Sequence, residues 1–189
     1  NIIELSSKAY LENVGNDQPH CCIDDLIKYS EGIIVLSGAI NNLIGNIYNK
    51  GLFEELDELI ILLNNNFKEN FYLEIQRHGD QNEKQFEIFN LNLSKKYQIP
   101  IIATNEVYYL DKEMHEAHDA LMCIGQKTYV NDQKRQKLTN NHYLKSSVEM
   151  AEIFKDLPEA LENNYNFPLR CNFRPIPSKP ILPNISAGT

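Results

Sequence analysis

The sequence predicts an α/β fold with mostly parallel strands, followed by helices and a proline-rich extended connector. Three observations carry this expectation. Short β-rich apolar runs alternate with helical patterns over residues 1–110, and that rhythm requires parallel strands joined by right-handed crossovers. Over residues 111–173 the periodicity is mostly helical. In the last segment, 174–189, the chain meets Pro175, Pro177, Pro180 and Pro183, a density that no helix or central strand tolerates.

Each element has its own signal. The chain reads as helix from its first turn. Gly32-Ile33-Ile34-Val35-Leu36-Ser37 is a continuous apolar run closed by Gly38, which suits a strand buried on both faces. Phe53, Leu56, Leu59, Ile60 and Leu63 then recur at helical spacing. A second strand is expected over residues 71–76, stopped by Arg77-His78-Gly79. A helix over 82–97 sets Phe86, Phe89, Leu93 and Tyr97 on one side, and a third strand follows over 99–104. Asp111 can cap a helix reaching about Gly125. Residues 126–143 are rich in polar side chains and read as a long surface loop. Ser146 with Glu149 forms a capping box for a short helix ending near Phe154, and Asp156 with Pro158 and Glu159 opens another.

Composition narrows the function. A formal charge of −8 argues against this segment gripping nucleic acid by itself, because phosphate binding rests on Lys and Arg displacing counterions. The one locally basic stretch, with Lys127, Lys134, Arg135, Lys137 and Lys145, reads as a solvated face. Apolar runs such as residues 59–63 are far too short to span a bilayer, and no basic-then-apolar leader opens the chain. Four cysteines, two of them adjacent at Cys21 and Cys22, do not make a disulfide framework, so a reducing cytoplasm is the expected setting. Asn1 in place of an initiator Met leads to the expectation that the natural protein begins upstream.

Chemistry in parallel α/β folds gathers in the loops after the strands. The first such loop, Ser37-Gly38-Ala39, has no titratable group. The second offers Arg77 and His78, and the third, residues 104–109, offers Glu106, Tyr108 and Tyr109. If the strands are neighbours, His78, Glu106 and Tyr108 emerge on one rim, where an imidazole and a carboxylate could assemble a divalent metal centre for phosphate-ester hydrolysis. The competing reading is a hydrogen-bonded loop histidine without a metal. His115 and His118 sit three apart on a helix without a third ligand nearby and read as helix-surface or interface residues. His118-Asp119 suggests a contact holding a loop, and His142 lies in the polar loop without an evident partner.

Several ordered segments carry a more specific resemblance. Residues 72–79 (Tyr-Leu-Glu-Ile-Gln-Arg-His-Gly) and 102–110 (Ile-Ala-Thr-Asn-Glu-Val-Tyr-Tyr-Leu) resemble two signature segments of the PHP (polymerase and histidinol phosphatase) domain in the alpha subunit of bacterial DNA polymerase III. The likeness continues through Ala117-His118-Asp119-Ala120-Leu121, Cys123-Ile124-Gly125, Tyr143-Leu144-Lys145-Ser146 and Pro158-Glu159-Ala160-Leu161, and upstream through Leu5-Ser6-Ser7-Lys8-Ala9. It implies a partial, distorted (β/α) barrel. Residues 1–110 would be the C-terminal part of the PHP barrel, 111–173 its helical extension, and 174–189 a connector towards the polymerase palm.

The resemblance also sets expectations for chemistry. His78, Glu106 and Tyr108 stand at family metal-ligand positions. Intact family members carry Asn-Asp-x-His in the loop after the third strand, so Glu106 and Tyr108 are departures from the pattern. Glutamate adds a methylene, and a phenol must lose a proton before it ligates, whereas imidazole is ready at neutral pH. The expectation is an eroded site, with no catalytic residue in this segment and no cofactor bound to it. The alternative is Zn, Mn or Mg at a PHP site with phosphoesterase or 3′–5′ exonuclease activity. By the same resemblance, the parent would be a Mg-dependent, DNA-directed DNA polymerase of chromosome replication. Its partners would be the rest of the alpha subunit and a proofreading exonuclease subunit, with DNA contacted mainly by other domains and no membrane.

Overall fold

The computed structural model describes residues 1–12, 18–135 and 137–180. The connector expected over 174–189 therefore falls partly outside the described residues; its described part, 174–180, has no regular structure. Two helices, α1 (Ile2–Leu11) and α2 (Ile23–Lys28), precede the first strand. The α/β unit follows as β1 (Val35–Leu36), α3 (Leu43–Asn49), α4 (Phe53–Phe67), β2 (Phe71–Ile75), α5 (Glu83–Tyr97) and β3 (Ile101–Ala103). The remainder is helical: α6 (His115–Gln126), entered through one 3₁₀ turn after Asp111, then α7 (Ser147–Ile153) and α8 (Pro158–Arg170).

The strands are parallel in the order β1-β2-β3, and the sheet does not close into a barrel among the described residues. Val35 pairs with Phe71 and Leu36 with Tyr72; on the other side Leu73, Glu74 and Ile75 pair with Ile101, Ile102 and Ala103. All of β3 is buried, as are four of the five β2 residues, the pattern of strands covered on both faces. No described helix is long and apolar enough to cross a membrane.

The first strand is shorter than its apolar run predicts. Gly32 lies at φ +70, and at the far end the Glu74 amide bonds the Ser37 hydroxyl at 2.9 Å. A side chain thus replaces backbone in the ladder, and Gly38 at φ +79 turns the chain away. At the opposite edge β3 has no strand neighbour among the described residues. Instead Asn163 and Asn164 of α8 donate their side-chain amides to the carbonyls of Ile101 (2.7 Å) and Ala103 (2.6 Å), which covers the edge. Helix α8 starts with Pro158 in its first turn and buries Ala160.

One hydrophobic cluster unites the chain. Leu56, Ile60, Leu63 and Phe67 of α4 and Phe86 and Leu93 of α5 pack with Phe71, Leu73 and Ile75 of β2. Phe154 and Ala160, far along the chain, belong to the same cluster. Arg77, at the end of β2, pins that junction. Its guanidinium donates to both oxygens of Glu87 (2.9 and 2.6 Å), to both of Asp156 (2.6 and 2.8 Å) and to the Ile153 carbonyl (2.6 Å). It also stacks over the Phe154 ring, 4.8 Å from its centroid. Asp156 and Glu87 hold the guanidinium further above its already high range.

Two residues of the basic stretch are not solvated, contrary to the reading from composition. The Arg135 side chain is 2% exposed and forks onto both oxygens of Asp119 at 2.5 Å. Lys145 donates to Asn105 and to the Asn141 carbonyl, and burial lowers its pKa. Lys127, Lys134 and Lys137 are exposed as expected. Ser146 and Glu149 form the capping box read from sequence, and the Ser146 amide and hydroxyl together with Tyr143 pull the Glu149 carboxyl down to about 2.

Candidate functional site

Side-by-side parallel strands bring their C-terminal ends to one rim. There the strand ends are tied together by side chains. Gln76 donates to Glu74 (2.8 Å) and to the Thr104 hydroxyl (3.0 Å), Thr104 donates to the Glu74 carboxylate, and the Thr104 amide bonds the Ile75 carbonyl at 3.0 Å.

His78 sits just beyond, on a loop held from three directions. Glu83, in the first turn of α5, accepts the amides of His78 (2.8 Å) and Gly79 (2.7 Å) on its two oxygens. Thr139 and Asn141 donate to the His78 carbonyl at 2.7 and 3.0 Å. Gly79, at φ +81, supplies the left-handed turn that this wrapping needs. The His78 ring is 1% exposed, and its Nε2 lies 3.0 Å from Asn105 Oδ1. That oxygen also receives Lys145 Nζ at 2.9 Å, while the Asn105 amide donates to the Tyr143 carbonyl at 2.9 Å.

The face of His78 lies against a second imidazole. His142 is fully buried and stacks on it, with ring centroids 4.0 Å apart and planes 7° from parallel. His142 Nδ1 lies 3.2 Å from the Glu106 carbonyl oxygen. Sequence left His142 in a polar surface loop without a partner, and the structure overturns that. The end of the loop is a strap laid along the segment after β3. The Tyr108 amide bonds the His142 carbonyl (2.9 Å), the Leu144 amide bonds the Tyr109 carbonyl (3.0 Å), and Tyr109 donates its phenol to the Thr139 carbonyl (2.8 Å). Backbone pairing between stretches more than thirty residues apart leaves no local signature, so polarity alone misassigns it.

Glu106 and Tyr108, also at the rim, engage each other. The Tyr108 phenol donates to Glu106 Oε1 at 2.7 Å. That bond, and secondarily burial, pushes the phenol up to about 12, so at neutral pH Tyr108 keeps its proton and donates it to Glu106. A phenol pKa raised above the unfolded value of about 10 stabilises the fold fully below pH 10, a contribution lost as pH rises from 10 to 12. The tyrosinate absorbance that distinguishes the parent from Tyr108→Phe is accordingly expected to titrate near pH 12, and to move down towards 10 in Glu106→Gln. A Tyr108 midpoint at or below 10 in the parent would show that the phenol is not held by Glu106.

The remaining histidines fall outside this cluster. His115 Nε2 lies 3.0 Å from the Leu138 carbonyl, and His118 packs against the rings of Tyr108 and Tyr109. The Asp119 carboxylate, which the sequence suggested as the partner of His118, is taken by Arg135.

Of the three family ligand positions that the sequence reads as eroded, His78 is the one that enters a ligand-like group among the described residues. Among the described residues, the His, Cys, Asp and Glu side chains that converge in a group of three or more are His78, Asp80 and His142, whose nearest ligating atoms lie within 4.8 Å of one another. Asp80 was legible as the second residue after His78, a short-range spacing that sequence reasoning passed over. His142 had no such signal.

Comparison with known proteins agrees with the sequence reading. Residues 1–78 match the PHP domain family. The whole chain is 34% identical over 188 residues to DNA polymerase III subunit alpha of Caulobacter vibrioides. Identity is 36% over 190 residues to that of Rickettsia prowazekii, and 37% over 186 residues to that of Borreliella burgdorferi. These alignments cover 97–100% of the chain but 16% of each relative, so the chain spans about a sixth of their length.

Proposed function

We propose that this chain, which matches the PHP domain family over residues 1–78 and is similar along its length to part of DNA polymerase III alpha subunits, is a non-hydrolytic scaffold within a replicative DNA polymerase. In this role it supports the polymerase core and docks a separate proofreading exonuclease subunit. The observation that carries the reading is the pairing of Glu106 with Tyr108. The two positions that depart from the family ligand pattern are bonded to each other, with the phenol proton held in place at neutral pH. The excess of acidic residues supports the further reading that DNA is contacted mainly by other parts of the polymerase, in the cytoplasm.

Co-purification of the intact protein with the exonuclease subunit, with and without this segment, tests the docking role. Loss of the exonuclease on removal is expected; undiminished binding would sink that role. A second reading, metal-dependent phosphoester or 3′–5′ exonucleolytic hydrolysis with Zn²⁺, Mn²⁺ or Mg²⁺, is favoured by one feature only, the buried imidazoles beside Asp80. It requires hydrolysis of single-stranded DNA that His78→Ala abolishes. The scaffold reading expects no hydrolysis that depends on His78.

A further inference from the structure

The buried pair His78 and His142 leaves two ring nitrogens without a hydrogen-bond partner, each beside a carboxylate. The partner of His78 Nε2 is Asn105 Oδ1, an oxygen already receiving the Lys145 ammonium and therefore an acceptor. The partner of His142 Nδ1 is a backbone carbonyl, which can only accept. Both contacts place the ring proton on the nitrogen named and leave a lone pair on the opposite one in the neutral ring. Those opposite nitrogens, His78 Nδ1 and His142 Nε2, are among the buried side-chain atoms without a hydrogen-bond partner. His142 Nε2 stands 3.6 Å from Asp80 Oδ2, and His78 Nδ1 stands 3.6 Å from Glu83 Oε1. A lone pair facing a carboxylate is repulsive unless a proton or a metal cation lies between them. An imidazole whose far N–H is fixed by a carbonyl is also the arrangement that orients metal-ligating histidines.

We propose that His78, Asp80 and His142 form a structural divalent-cation site, of the zinc class, that staples the loop after β2 to the strap over residues 139–145. Two imidazoles and one carboxylate are ligands that zinc accepts, with water in the fourth position. Asp80 and His142 are not among the positions that the family resemblance assigns; Glu106 and Tyr108, which are, take no part. Both rings are at most 1% exposed, so the ion is closed off from a macromolecular substrate and its work is to hold two segments together. Entry is from the Asp80 side, where that side chain is 16% exposed. Ligand atoms around tetrahedral zinc lie roughly 3.4 Å apart, so loading draws the group inward by about 1 Å and splays the stacked rings.

The site is tested on the intact protein with Co²⁺ as a spectroscopic stand-in for zinc, and with Zn²⁺ in competition. Tetrahedral Co²⁺ absorption in the visible, displaced by zinc, is expected in the parent and in Glu106→Gln. Asp80→Asn is expected to weaken binding by more than roughly 100-fold, and His142→Gln to abolish the bands. Because His142→Gln can fail through misfolding, Asp80→Asn, at a partly exposed position, decides the matter. No visible bands in a folded parent, or bands lost in Glu106→Gln and kept in Asp80→Asn, would overturn the proposal. The inference is separable from the scaffold reading: absence of cation binding removes this site and leaves the scaffold standing, cation binding without hydrolysis leaves both standing, and His78-dependent hydrolysis would remove both the scaffold reading and the purely structural role of the ion.

Discussion

Arg77→Ala is expected to destabilise the β2–β3 region by about 3–5 kcal/mol, the range for removing one partner of a largely buried ion pair. The Arg77 side chain is 22% exposed and that of Glu87 16%, so Glu87 would be left as a nearly buried, unpaired carboxylate. Asp156 is 60% exposed and contributes less, since water screens it. The Ile153 carbonyl would lose its donor as well. Arg77→Lys keeps the charge but cannot fork onto two carboxylates, and a loss of about 1–2 kcal/mol is expected. Hydrogen-exchange protection of the β2 and β3 amides in the intact protein measures both. Protection within about 0.5 kcal/mol of the parent in Arg77→Ala would show that the clamp is not structural.

Truncating the ring beneath that guanidinium has a comparable effect. Phe154→Ala removes a side chain that is 1% exposed and belongs to the central cluster, and a loss of about 3–5 kcal/mol is expected from transfer plus the cavity left behind. Phe154 joins α7 to α8, and α7 follows directly on the strap that carries His142. Loosening this junction therefore loosens the rim as well as the core. Because ring and guanidinium touch, the double variant with Arg77→Ala should fall short of the sum of the singles by at least about 0.5 kcal/mol. Strict additivity of the two losses would show that the stacking has no energetic weight.

The candidate site was only partly legible in the sequence. His78 and Glu106 could be placed at strand ends because an apolar run followed by Arg-His-Gly or Asn-Glu marks where a parallel strand stops. Their partners could not. Asn105, Lys145 and Thr139 act through contacts spanning 27 to 61 residues, and no periodicity encodes which polar side chain of a loop turns inward. The same blindness made Arg135 look like a surface charge, when its fork onto Asp119 is buried.

The sequence by itself determined the α/β class, the three strand positions, helices α4 and α5 between them, the Ser146–Glu149 cap and the family resemblance, since each rests on local spacing or ordered motifs. Tertiary structure alone decided the length of β1, the cover of the β3 edge by Asn163 and Asn164, and the stacking of His142 on His78. The physical reason is common to all three. Hydrophobic periodicity reports which face of an element is buried, whereas hydrogen-bond partners across a sheet edge or a loop depend on where distant segments arrive. That is why residues 72–79 and 102–110 located the rim, and only the fold showed that Glu106 and Tyr108 bond each other while His78 faces His142 and Asp80.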